Sequence, residues 1–332
     1  MTKEEVMESI SLKKRFCKDY NIPIAVYDNP YFMQRLTIVD KVKPCLANFI
    51  DFCKELEKFD NEQDYFEYYN SVKDKTIDFL KGNECFIDFN ARKIEMPEFY
   101  ISKRNLYIED NDENMFISLD MKKANFSALR FYNAEMFDGA TTWEEFLSKF
   151  TDSRHVINSK YIRQVIMGAC NPKRQIQQEK LIMFSLMNTV ITQLTAAQSD
   201  GSKSDIEAVL EPLRDFEVYS LGEDEIILRI IGNGTLRSYY QLISDIVKKT
   251  EYSDFIRVTA FTLSKIKGTD GYIKRILTDY GKWDIEFKCL SAEIYHQVVK
   301  YFLSIPVYED DLVFYHNGKL AKYLEPIKNP WE

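Results

Sequence analysis

Hydrophobic and polar residues alternate along the chain with two different periods, and the change from one to the other divides it. Through residues 1–95 the period is helical. In "VDKVKPCLANFIDFCKELEKF", Val39, Val42, Leu46, Phe49, Ile50 and Phe52 recur near every 3.6 residues with charges between them. "EQDYFEYYNSVKDKTIDFLKG" repeats the pattern and reaches Gly82, a residue suited to ending a helix. Between them and the first helix, "IPIAVYDNPYF" predicts an extended piece with an Asp-Asn-Pro turn, its aromatics serving the core.

From residue 96 the period becomes two. "EFYIS", "NLYIED" and "MFISLD" predict strands joined by polar turns, of which "EDNDEN" is the clearest. That acidic run lacks the glycine and terminal glutamate of an EF-hand and reads as a solvated loop. Helical character returns over 124–213: "TTWEEFLSKF" opens on a threonine cap, and a long segment breaks at "GACNP". "SDIEAVLEPLRD" predicts a further short helix, with a polar loop over Ser199–Ser204 before it. Strands at 216–221 and 225–231, a helix at 235–249 and a strand at 256–265 follow. Beyond them come a "GTDG" turn, a strand near "WDIEFKCL", a helix at "SAEIYHQVVKYFL" and a terminal pair around "DLVFYHNGKLAKYL".

Taken from residue 116, the order is β-α-β-β-α-β. The expected fold is α+β: a ferredoxin-like (βαββαβ) core with a large helical insertion, a helical N-terminal region and a small C-terminal α/β appendage. The corresponding boundaries are 1–95, 96–265 and 266–332.

Composition narrows the function. A 332-residue chain with 45% hydrophobic residues can bury a substantial core. Its net charge of −8 argues against a broad positive field for duplex DNA, so any nucleic-acid contact must be a local patch. No apolar run approaches the roughly 18 residues of a membrane span. The charged start "MTKEEVMESISLKKRFC" lacks the apolar centre of a secretion signal. Six scattered cysteines without a CxxC pair read as reduced thiols, so a cytoplasmic location without a structural zinc is expected. With three histidines in the chain, and none at a readable position to activate Cys170, cysteine nucleophilic chemistry is a poor fit.

The distinctive chemistry is a pair of acids. "FISLDMKKANF" places Asp120 at the exit of the strand 116–120, and "SLGEDEIIL" places Glu223, Asp224 and Glu225 at a hairpin turn. Alone, the first reads as a turn former or helix cap and the second as a charged hairpin. In the βαββαβ order, however, both come to one edge of the sheet. Carboxylates brought together repel unless a cation lies between them, and two aspartates plus a substrate triphosphate are enough for Mg²⁺ or Mn²⁺. Two such ions about 3.5–4 Å apart serve in-line nucleotidyl transfer.

These residues carry a resemblance. "SLDMKKA" resembles the first catalytic motif of palm-domain polymerases, particularly reverse transcriptases. "GEDEIIL" is similar to the hairpin motif of polymerases related to bacterial DNA polymerase I, and to the Gly-Gly-Asp-Glu turn of diguanylate cyclases. The resemblance covers roughly residues 115–265. It implies a palm-domain nucleotidyltransferase with Asp120 and Asp224 holding metal and Glu225 supporting them. It assigns Lys160 and Arg163, on a basic stretch between the motifs, to the incoming triphosphate, and Lys173 and Arg174 to a strand backbone. Asn125 takes the position where polymerases usually pack an aromatic residue under the sugar, with Phe126 following it. No thumb or nuclease segment accompanies the motifs, so processive synthesis is not expected.

The expected partners are a nucleoside triphosphate and a short nucleic-acid strand, with no membrane. Two other readings stand beside this one. A non-catalytic interaction protein on a palm-like scaffold would bind a protein partner and ignore divalent metal. A template-free nucleotide cyclase would turn over triphosphates without a primer.

Overall fold

The computed structural model describes residues 1–96, 103–196, 214–278 and 282–332. The strand expected at "EFYIS", the helix at "SDIEAVLEPLRD" and the loop over Ser199–Ser204 lie partly or wholly outside them. The N-terminal region forms α1 (Lys3–Glu8), α2 (Ile10–Asp19), α3 (Tyr31–Asp40), α4 (Leu46–Leu56), α5 (Glu62–Gly82) and α6 (Glu84–Ala91). The single helical period through residues 39–59 is divided between α3 and α4. Pro44 cannot continue a helix, and the Asp40 carboxylate accepts the Cys45 and Leu46 N–H groups at 2.8 Å, starting α4 afresh.

Then come β1 (Met115–Met121), α7 (Ala124–Tyr132), α8 (Trp143–Leu147), α9 (Arg154–Asn158), α10 (Lys160–Gly168) and α11 (Pro172–Ala196). The remainder gives β2 (Phe216–Leu221), β3 (Glu225–Ile230), α12 (Leu236–Lys248), β4 (Ile256–Lys265), β5 (Tyr272–Leu277), β6 (Trp283–Lys288) and α13 (Tyr295–Phe302). A terminal hairpin, β7 (Val313–His316) and β8 (Lys319–Lys322), follows.

The fold is mixed α+β. Its main sheet has the order β2-β3-β1-β4-β5-β6, and neighbouring strands pair antiparallel. The sheet therefore continues past Lys265, because β5 pairs with β4 through the "GTDG" turn and β6 with β5. Gly268 in that turn has φ +71°, a conformation that favours glycine.

Alternation decides what each face meets. Ile117 and Leu119 of β1, with Ile226 and Leu228 of β3, pack against Ile182 and Leu186 of α11 and Ile243 of α12. The opposite face carries Phe116, Ile227 and Phe261 over a smaller apolar cluster closed by Leu106 and Tyr219. "NLYIED" supplies Leu106 but forms no strand. Asn105 Oδ1 accepts the Tyr107 N–H at 3.1 Å, and Asn111 Nδ2 donates to the Leu106 carbonyl at 2.8 Å. Such local bonds compete with sheet pairing, and the segment runs across the sheet instead, its Arg104 N–H donating to Ser220 Oγ at 2.9 Å.

The largest core joins distant parts of the chain: Val6, Leu12 and Phe16 meet Trp143 and Ile162, and the cluster extends to Ile273, Phe287, Val298 and Val299. Within it Asp19 is fully buried, accepting from His155 Nε2 at 2.7 Å, Ser159 Oγ at 2.7 Å and Tyr69 Oη at 3.0 Å. Among the described residues, no helix is long and apolar enough to cross a membrane.

Candidate functional site

β1 brings Asp120 to the sheet edge by its register. Asp120 stands opposite Glu225 on β3 and opposite Arg257 on β4, so the three side chains share one face. The Met121 N–H donates to the Asp224 carbonyl at 2.9 Å, pinning the β2–β3 turn to the end of β1. Gly222 closes that turn by donating its N–H to the Glu225 carbonyl at 2.8 Å. A side chain at Gly222 would approach the same carbonyl to 3.2 Å, a tight fit.

Immediately after β1 the backbone reverses. Lys122 N–H donates to the Phe255 carbonyl at 2.8 Å, and Lys123 takes a left-handed conformation at φ +51°. From there α7 begins, so Asp120 stands at a sharp strand-to-helix turn, where its backbone is held by both neighbouring strands.

The electrostatics are those of crowded acids. Burial pushes the Asp224 carboxyl up, and the charge of Asp120 pushes it further. Burial also raises Glu225, as do Asp120 and Asp224, while the Ser118 hydroxyl at 2.5 Å and the Lys274 ammonium oppose the rise. A further acid comes from α11. Glu179, only 4% exposed, is pushed up to about 7 by burial and then by Asp224, against a 2.7 Å hydrogen bond from Asn125 Nδ2.

Cations surround the group. Arg257 Nη2 lies 2.6 Å from Asp120 Oδ2. Lys103 is 3.0 Å and Lys180 3.9 Å from the two oxygens of Glu223. Consecutive residues of α11 thus address both acid motifs: Glu179 through Asn125, five residues beyond Asp120, and Lys180 through Glu223. Beside the carboxylates opens a cavity of about 430 Å³, lined in part by Lys103, Tyr107, Gly222, Asp224 and Glu225.

Of the residues singled out in the sequence, Asp120, Asp224, Glu225 and Asn125 come together. The four basic ones lie elsewhere. Lys160 is exposed at the start of α10. Arg163 is half-buried and faces Glu144, and burial lowers its pKa. Lys173 is exposed in the first turn of α11. Arg174 donates to the Phe89 carbonyl at 2.8 Å and lies over that ring.

Sequence reasoning gave no role to Ser118, Lys103, Arg257 and Lys274, nor to Glu179, an acid within the basic stretch between the motifs. Its spacing held a signal. Glu179 is in step with Gln175, Ile182, Met183 and Leu186, the buried stripe of α11. An acid on such a stripe needs a partner.

Among the described residues, no group of three or more His, Cys, Asp and Glu side chains could by itself hold a metal ion. Asp120 and Asp224 carry the type of oxygen donor that a hard divalent cation takes together with oxygens from water or a substrate, and the charge of Asp120 already disfavours ionisation of Asp224. No protein-family model, curated protein or solved structure matches the chain.

Proposed function

We propose that this chain is a metal-dependent nucleotidyltransferase of the palm type, non-processive, with Asp120 and Asp224 as the metal-holding pair. The observation that carries this reading is the pinning of the Asp224 turn against the end of β1 by the Met121–Asp224 backbone bond, which holds two mutually repelling carboxyls at one sheet edge. In its favour also stands the strand order β2-β3-β1-β4, the ferredoxin-like order, with α11 and α12 packed on one face.

In this reading Mg²⁺ or Mn²⁺, when bound, relieves the repulsion between the aspartates and stabilises charge building on the transferred phosphate. Glu225, held by Ser118, orients the edge of the site from β3. Lys103 and Lys180 border the hairpin and suit the triphosphate better than Arg174, whose guanidinium is engaged by Phe89. Asn125, anchored by Glu179, stands next to the substrate's sugar. Arg257 must release Asp120 as metal binds.

That last contact also favours the second reading. An ion pair of 2.6 Å satisfies Asp120 without metal, as suits a non-catalytic interaction protein. Thermal unfolding with Mg²⁺ or Mn²⁺, with and without mixed nucleoside triphosphates, separates the two. Ligands that bind only the folded state raise its midpoint. A joint metal-plus-nucleotide rise, lost in Asp120→Asn/Asp224→Asn, is the expected result, and primer extension would follow. An unchanged wild-type midpoint would overturn the catalytic reading.

A further inference from the structure

Positive charge gathers at a second place, away from the acids. Three lysines from segments far apart in sequence lie near the β6 edge of the sheet, two of them within electrostatic reach of the third. They are Lys43 in the α3–α4 connection, Lys160 at the start of α10 and Lys288 at the end of β6. Lys43 is fixed there by its ammonium, which donates to the Asn21 carbonyl at 2.6 Å and the Tyr20 carbonyl at 3.2 Å. Burial, then Lys160 and Lys288, lower its pKa, against Cys45 and Glu286. Glu286, 2.7 Å from Lys288, is the acid that partly offsets them.

Register connects this cluster to the catalytic edge. Arg257 pairs with Asp120, Lys274 pairs with Leu263 of β4 and with Glu286, and Lys288 pairs with Tyr272. By alternation these side chains share the face that bears Asp120 and Glu225. Lys274 leans along it, its ammonium 4.0 Å over the Phe261 ring and within electrostatic reach of Glu225 and Asp120. Arg257, Lys274 and Lys288 thus lie on one face of the sheet, and Lys43, within electrostatic reach of Lys288 and Lys160, continues the row of cations in a chain whose net charge is −8.

We infer that this row, Lys160, Lys43, Lys288, Lys274 and Arg257, seats the phosphate backbone of a single-stranded nucleic acid whose end lies at Asp120. The inference rests on the nucleotidyl-transfer reading for its choice of polyanion. Crowded ammonium groups gain most from a ligand carrying regularly spaced negative charge. A single row suits one strand, whereas a duplex would meet the acidic remainder of the surface. Lys160 accordingly serves the strand and not the triphosphate.

The test is fluorescence anisotropy of labelled single-stranded RNA and DNA homopolymers at several salt concentrations. The proteins compared are the wild type, Lys160→Ala/Lys288→Ala and Asp120→Asn/Asp224→Asn, each checked for unchanged far-UV circular dichroism. The lysine variant should bind roughly tenfold more weakly and lose about 1.4 from the salt slope, two contacts at about 0.7 each. The aspartate variant should bind at least as tightly as wild type, because it removes negative charge from the strand's end and frees Arg257. Equal binding by wild type and the lysine variant would overturn the assignment, as would no wild-type binding or full competition by millimolar inorganic triphosphate. Lysine-dependent strand binding beside a failed metal-plus-nucleotide shift would keep this path and remove catalysis. The reverse pair of results would do the opposite.

Discussion

Asn125 donates its side-chain amide to the Glu179 carboxylate at 2.7 Å, joining the helix that follows Asp120 to the helix that faces Asp224. The bond ties together two elements whose separation would open the site. Burial, and then the charge of Asp224, outweigh that bond and make Glu179 a proton-sensitive group, raised from 4.5 to about 7.

A raised carboxyl binds more protons folded than unfolded, so its contribution to stability is fully present below pH 4.5 and is lost as pH rises through about 7. Glu179→Gln keeps a polar partner for Asn125 and removes the titration. Relative to wild type, this variant should gain stability between pH 5 and pH 8, by at most about 3 kcal/mol. Urea denaturation at the two pH values measures it, and parallel pH profiles would rule the assignment out.

Arg257→Gln removes the 2.6 Å partner of Asp120 from a pair in which the side chains are 63% and 27% exposed. Such a pair contributes little, so the loss of stability should stay below about 1 kcal/mol. Divalent metal should bind more tightly, because Asp120 no longer has to exchange one cation for another. Titration with Mn²⁺, followed by the unfolding midpoint, reads both effects. Weaker metal binding would show that Arg257 belongs to the metal-bound state.

Ser118→Ala takes away the hydroxyl that holds Glu225 at 2.5 Å. A half-buried carboxylate deprived of that donor should destabilise the fold by roughly 1–2 kcal/mol at neutral pH. The penalty should shrink toward pH 4, as Glu225 protonates. Stability curves at the two pH values test this, and a constant penalty would make the loss one of packing alone.

Asp19→Ala strips the shared acceptor from His155, Ser159 and Tyr69 in the helical core. Leaving these groups unpaired costs about 3–5 kcal/mol by comparison with other broken buried networks. Where the variant remains folded, any metal-plus-nucleotide shift should persist, since Asp19 belongs to the helical core. Denaturation and the thermal-shift assay give the two halves of that expectation.

The acid pair and its strands were legible because each depends on local pattern. Apolar strands ended by an acid and followed by a change of period can be read residue by residue, and β1 to β4 match the expected spans closely. Arg257 and Lys274 could not be read that way, since their place near Asp120 follows from register across neighbouring strands. Glu179 required knowing which side of α11 faces inward. "NLYIED" misled because alternation alone cannot reveal that Asn105 and Asn111 will bond their own backbone. The sheet's extension through β5 and β6 was hidden for a related reason: a hairpin signal shows that two strands pair, not which sheet they join.

The largest core has a consequence for the order in which the protein can be made. Val6, Leu12 and Phe16 leave the ribosome well before Phe287, Val298 and Val299, yet all of them enter one cluster. Helices α1 to α6 can dock on one another early, but that core stays incomplete until Val298 and Val299 have emerged. During that interval its apolar faces are available to chaperones and to neighbouring nascent chains.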